Sequence, residues 1–250
     1  MNTGFYKNLD TNFEIACKMS EQDFQHEELL EMLKNGNIPE KQIAAMKLSK
    51  IQSTEDAKIL LNNLTGCDGK IREAVALKIN QLINKDKNLI PLFTQQENSP
   101  FADATIDING NICRLIIDSV SILKQDEDFA KKYLEQILAF INETFQELDK
   151  FIFRDKKYVI NKQLFKLYWC LEALKLFAKN IPTERIYPIL SRASKEKEYT
   201  IREKVAQIVI YLSDTTIDEV HSACKAFIEK FNQSSILIQS NKTTTEFYAG

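Results

Sequence analysis

An all-α chain of paired antiparallel helices is what this 250-residue sequence predicts, on three observations. The first is a helical stretch that returns. In Asp68-Gly69-Lys70-Ile71-Arg72-Glu73-Ala74-Val75-Ala76-Leu77-Lys78-Ile79-Asn80-Gln81-Leu82-Ile83, the residues Ile71, Val75, Ile79 and Leu82 fall in one narrow stripe at about 100° per residue. Apolar residues recur 41 positions on at Ile112, Ile116, Val120 and Leu123, and 130 positions on at Ile201, Val205, Val209 and Leu212. The second is a gap-free shift of 31 residues. It carries Leu29, Leu30 and Leu33 onto Leu60, Leu61 and Leu64, Ala45 onto Ala76, Met46 onto Leu77, Lys47 onto Lys78, Leu48 onto Ile79 and Ile51 onto Leu82. A period in the 30s is the mark of stacked helical hairpins. The third is that only six Gly and five Pro are present, mostly between the periodic segments, which is too few for a turn-dense sandwich or barrel.

The elements follow in order. A short helix is expected over 10–19, capped by Asp10 or Thr11. Ser20-Glu21-Gln22-Asp23 has the form of a capping box and opens a helix that stops at Asn35-Gly36. Asn37-Ile38-Pro39 restarts the chain, with Pro39 in the first turn, where a missing N–H costs nothing. Between Pro91 and Ile112 the spacing is too long for one turn between paired helices, so residues 94–107 are expected as an inserted loop, and in repeat proteins such insertions map to one face, often the binding face. Asp126-Glu127-Asp128 should cap the following helix. Residues 128–180 form a divergent pair, whose segment 157–179 is apolar nearly all round (Leu164, Phe165, Leu167, Tyr168, Trp169, Leu171, Leu174, Leu176, Phe177) and so is either buried or covered by a partner. Residues 183–194 and 200–213 make the last clear pair, 217–231 a capping helix, and 239–250 a frayed tail after a short turn.

Ile71-Arg72-Glu73-Ala74-Val75-Ala76 and Ile201-Arg202-Glu203-Lys204-Val205-Ala206 resemble the second (B) helix of HEAT repeats, and Ile90-Pro91-Leu92 and Tyr187-Pro188-Ile189-Leu190 the first (A) helix. The resemblance implies a right-handed α-solenoid of about five HEAT-like antiparallel pairs with terminal caps. As one domain over 1–250 it would comprise an N-terminal cap (1–20), clear repeats (21–124), the divergent pair (128–180), a last repeat and C-terminal cap (182–238), and the tail. It also implies that Arg72 and Arg202, at the family's B-helix arginine, form contacts between repeats. Arg114, one position further along in register, should point elsewhere.

Composition bounds the function. The chain is 44% hydrophobic and 27% charged with net charge -2, ordinary for a folded soluble protein. This balance gives no whole-chain case for nucleic acid. Residues 101–150 carry 5 Lys/Arg against 10 Asp/Glu, whereas 151–250 carry 16 against 11, a weak pointer to an acidic partner for the C-terminal part. Cys17, Cys67, Cys113, Cys170 and Cys224 are widely spaced with no C-x-x-C, which suits reduced thiols better than a disulfide framework. With neither a secretory signal nor an apolar run of about 18 residues, a cytoplasmic protein is expected.

No catalytic, cofactor or metal constellation is expected. Phosphate-loop, dinucleotide, nucleophile-elbow and H-E-x-x-H motifs are absent. His26 and His221 lie at opposite ends of the sequence, Glu27, Glu28 and Glu31 read as a solvated face, and His221 with Cys224 offers only two zinc ligands. Among enzymes on HEAT-like scaffolds, alkylpurine DNA glycosylases use a basic groove with tryptophans and a carboxylate, and bilin lyases attach pigments. A single Trp and a non-basic B-helix face argue against the former.

The predicted function is therefore a non-enzymatic scaffold for a protein or peptide, bound on the B-helix face away from the core. The candidate residues are Gln42, Met46 and Ser49; Glu73, Leu77 and Asn80; Arg114, Asp118 and Ser121; Glu203, Gln207 and Ile210. A phosphate-tracking groove would repeat Lys or Arg there, and it does not. Trp169, beside Tyr168, is the further candidate anchor if its face is open.

Overall fold

The computed structural model describes residues 4–96, 99–151, 157–213, 236–241 and 244–249. Among these are twelve α-helices: α1 (Gly4–Ser20), α2 (His26–Asn35), α3 (Ile38–Lys47), α4 (Thr54–Leu61), α5 (Gly69–Lys85), α6 (Ile90–Thr94), α7 (Phe101–Thr105), α8 (Gly110–Leu123), α9 (Glu127–Phe151), α10 (Lys157–Lys175), α11 (Thr183–Ala193) and α12 (Tyr199–Ser213). The expected all-α class holds for them. The C-terminal stretch differs: strands β1 (Ile236–Asn241) and β2 (Thr244–Ala249) pair antiparallel, with Ile236 opposite Ala249, where a turn and frayed tail were expected. The β-branched and aromatic residues here, among them Ile236, Ile238, Thr244, Thr245, Phe247 and Tyr248, explain the pairing. The expected helix over 217–231, with His221 and Cys224, lies outside the described residues.

Packing gives two compact units, residues 1–133 and 134–250. In the first unit, α3, α5 and α8 pack in succession as one row, and α2, α4 and α6 pack as another. The recurring stripe is core: Ile71, Val75, Ile79 and Leu82 are buried, as are Ile112, Ile116, Val120 and Leu123. At about 25 cal/mol per Å² of apolar surface, each such side chain is worth roughly 2 kcal/mol of burial before entropy is charged.

Local chemistry sets the helix ends. α2 starts later than its expected box: Glu28 accepts the Gln25 N–H at 2.7 Å, while Ser20 instead donates to the Cys17 carbonyl at the end of α1. α1 itself reaches back to Gly4, beyond the expected start at Asp10. Asn37 and Glu40 form a reciprocal capping box at α3. Gly36, between α2 and α3, has no room for a side chain, since a Cβ would stand 2.5 Å from the Met32 carbonyl oxygen and 2.9 Å from Glu40 Cβ. Gly66 turns the α4–α5 connection at φ +71°, a left-handed conformation that glycine alone adopts freely.

The expected inserted loop contains a short buried helix instead. α7 lies within it, with Phe101, Ala102, Ala104 and Thr105 buried. Phe101 meets Phe129 edge-to-face at 5.6 Å, and Thr105 Oγ1 donates to the Phe101 carbonyl and pairs with Tyr133 Oη at 2.7 Å. The long spacing from Pro91 to Ile112 thus holds two short helices, α6 and α7, each with a buried apolar side.

In the second unit, α10 packs on α12 and α11 on α12. Glu135 and Asp149 of α9 pair with Arg185 and Arg192 of α11, so residue order rises together along the two helices. Ile201, Val205, Val209 and Leu212 are buried, and so are Leu167, Cys170, Leu171, Ala173 and Leu174 of α10. The apolar segment is therefore mainly core, with Phe165 as its exposed edge.

Candidate partner-binding surface

Two carboxylates anchor the starts of α4 and α9. Asp56 of α4 accepts from the Gln52 N–H (2.9 Å) and Ser53 Oγ (2.6 Å) and pairs with His26 Nε2 (2.9 Å). Burial alone would raise its carboxyl, but these hydrogen bonds and the His26 charge outweigh it and hold the pKa below the usual value. Asp126 accepts from the Phe129 N–H and Thr94 Oγ1, which hold its carboxyl low as well, and it caps α9 as expected. A carboxylate with a depressed folded pKa contributes stability that is fully present above its unfolded pKa, near about 3.9, and lost as pH falls through the folded value. Acid titration of the melting temperature should therefore show the gap between the native chain and Asp56→Asn closing below about pH 4. A gap that stays constant down to that range would remove the linkage.

The row α3–α5–α8 carries the predicted surface in the first unit. Met46 is 54% exposed and Leu77 41% exposed, at positions 31 residues apart on neighbouring helices. Arg114 and Asp118 of α8 are exposed and Gln42 is half-buried. Ser49 is exposed but follows the end of α3, and exposed Ser121 donates to the Asp118 carbonyl.

Two predicted residues are half-buried and already hydrogen-bonded to the neighbouring helix. Glu73 accepts from Asn109 Nδ2 (3.2 Å) and Asn111 Nδ2 (3.1 Å), so its carboxylate ties α5 to the start of α8. Asn80 Nδ2 donates to the Leu115 carbonyl and Ser119 Oγ, both at 3.3 Å. Helical angle placed both outside the core stripe correctly, but the neighbouring helix lies within reach of their side chains. Sequence reading missed Ile108, which is 78% exposed in the turn before α8. The signal was an apolar residue inside the turn-forming run Asp107-Ile108-Asn109-Gly110.

Arg72 and Arg202 share one contact. Each donates to the carbonyl five residues back, Cys67 and Lys197 respectively, and so holds the turn before its own helix. Arg72 also grips Asp107 through Nε (2.7 Å) and Nη2 (3.1 Å), reaching the turn before α8. Arg202 adds the Glu196 carbonyl instead, and both bonds lie within the α11–α12 connection.

In the second unit, Gln207 Nε2 donates to Glu203 Oε1 and Lys204 Nζ to Gln207 Oε1, each at 3.2 Å. Lys204 also pairs with Glu172 and lies 4.8 Å from the Tyr168 ring centre. Burial would lower the Lys204 ammonium pKa, but Glu172 and Tyr168 raise it on balance. Glu203 and Gln207 thus belong to an internal network, and Ile210 is half-buried. Trp169 is half-buried against Phe165 and Tyr168, with its indole Nε1 buried and lacking a hydrogen-bond acceptor.

The Cys113 thiol is buried, donates to the Asp107 carbonyl, and is pushed up to about 12 by burial and then by the Asp107 charge, which suppresses the nucleophilic thiolate. Among the described residues, no three His, Cys, Asp or Glu side chains gather as a metal site. A cleft of about 610 Å³ opens between α4 and the end of α6, where Gln96 Nε2 donates to the Thr54 carbonyl; Thr54, Lys58, Asn62 and Gln95 also line it. No helix among the described residues is long and apolar enough to cross a membrane.

No protein-family model matches the chain, and no curated protein does. Among solved structures it matches the crystal structure of an engineered protein, a Northeast Structural Genomics Consortium target, at 11% identity and a TM-score of 0.41. That match covers 84% of this chain and 98% of the other.

Proposed function

We propose that this chain is a non-enzymatic, cytoplasmic interaction scaffold, built as a right-handed HEAT-like α-solenoid, that binds a protein or peptide across α3, α5 and α8. The pairs would be α2/α3, α4/α5, α6–α7/α8, α9/α10 and α11/α12. Support for the solenoid comes from the two helix rows of the first unit, the recurring buried stripe, and the arginine contact repeated at Arg72 and Arg202. The observation that carries the functional reading is the exposure of Met46 and Leu77 at equivalent positions on adjacent helices, with exposed Arg114 and Asp118 on the next. Apolar anchors flanked by polar groups are the composition of an interface centre and rim.

The triple variant Met46→Ala/Leu77→Ala/Arg114→Ala should keep its melting temperature and lose at least about tenfold in affinity for a partner, since a single hot-spot truncation exceeds about 1.4 kcal/mol. The partner would first be identified by capture on the native chain, and affinity then measured by titration. Unchanged affinity would place binding on another surface.

A further inference from the structure

The chain contains two Asn-Gly dipeptides, Asn35-Gly36 and Asn109-Gly110, and the structure treats their reacting atoms differently. A glycine after asparagine leaves the backbone nitrogen open to approach by the side-chain carbonyl carbon, because no Cβ stands in the way. At the first site that nitrogen is engaged: the Gly36 N–H donates to the Met32 carbonyl at 2.9 Å. At the second site, Gly110 is the first residue of α8, where a helix offers its N–H no internal acceptor. Asn109 is the N-cap, and its Oδ1 accepts the Asn111 N–H at 2.9 Å, which polarises the Cγ carbonyl toward attack. Asn109 is also partly exposed, next to the exposed Ile108, so water reaches this turn.

We propose that Asn109-Gly110 is a site of spontaneous deamidation whose product loosens the junction between α5 and α8. The Gly110 nitrogen attacks Asn109 Cγ, and a new C–N bond closes a five-membered succinimide as the Cγ–Nδ2 bond breaks. The proton lost from the Gly110 nitrogen leaves with the side-chain nitrogen as ammonia. Water then opens the ring: addition at Cγ gives aspartate, and addition at the backbone carbonyl gives isoaspartate, with the chain continuing through Cγ. The balance is one water consumed and one ammonia released, with no oxidant or reductant. The reaction accelerates as pH rises, because the attacking species is the deprotonated amide.

The product is ill suited to its surroundings. Asn109 Nδ2 now donates to Glu73 Oε2 at 3.2 Å, and the Asn109 N–H donates to Asp107 Oδ1 at 2.8 Å. Conversion removes the donor to Glu73 and sets a new carboxylate against the Glu73 carboxylate. Like charges at this separation repel, and the isoaspartate form also displaces the cap of α8.

The test is to age the full chain in warm, mildly alkaline buffer, measure ammonia, and map peptides for amide-to-acid conversion. Conversion is expected at Asn109 while Asn35 keeps its amide, and Gly110→Ala should fall to the background of the other asparagines. Asn109→Asp should melt below Asn109→Ser, because serine keeps a neutral cap and cannot deamidate. Conversion at Asn35 ahead of Asn109, equal ageing of Gly110→Ala, or coincident melting of the two Asn109 variants would each overturn the proposal.

Discussion

Arg72→Ala is expected to destabilise the first unit by about 3–5 kcal/mol, the range for breaking a buried ion pair by removing one partner. The Arg72 and Asp107 side chains are both largely buried, and their contact is two-pronged. The Asp107 hydrogen bond, opposed by burial, holds the guanidinium pKa above its ordinary value. Asp107→Ala should cost as much or more, since it strands that cation and also frees the Asn109 N–H at the α8 cap. Urea unfolding of the two single variants and the double variant gives the coupling, and the double should cost less than the sum. Losses below about 1 kcal/mol for both singles would mean that solvent screens the pair like a surface ion pair.

The second large effect is expected at Asn63, in the turn after α4. This buried side chain donates through Nδ2 to the carbonyls of Leu33 and Ile59, both at 3.0 Å, and accepts from Lys41 Nζ at 3.0 Å through Oδ1. One amide thus joins α2, α3 and α4 at a common end. Asn63→Ala leaves the Leu33 carbonyl without this donor in a buried place and empties the volume of the amide, at a cost of about 3 kcal/mol. Asn63→Asp should cost at least as much, because it turns a carboxylate oxygen toward two carbonyl oxygens. Thermal melts of both variants decide this, and a shift within error of the native chain would show the turn can repack around the change.

What the sequence made legible is the apolar geometry. A stripe repeated at Ile71, Ile112 and Ile201 needs only the helical period and burial to be read, and all three copies are core. The direction of Met46 and Leu77 was legible for the same reason. Less visible was what lies opposite a polar side chain. Glu73 and Asn80 point off the stripe, as their angle requires, but the start and middle of α8 stand within hydrogen-bond distance. That proximity depends on how two helices pack, which no periodicity within one of them contains. The 94–107 segment misled for a related reason: its polar residues cluster before Pro100, while the buried side of α7 is one short turn of Phe101, Ala102, Ala104 and Thr105, too brief to register as a period.

Cys113 gives the α5–α8 junction a built-in gauge. Its thiol sits beneath the turn that Arg72 and Asp107 lock, bonded to the backbone of Asp107 itself. A thiol reagent meets the exposed Cys17 without any opening, whereas Cys113 is shielded until that turn lifts. When closing outpaces labelling, the ratio of the two modification rates reports how often the junction breathes, site by site and without unfolding the chain.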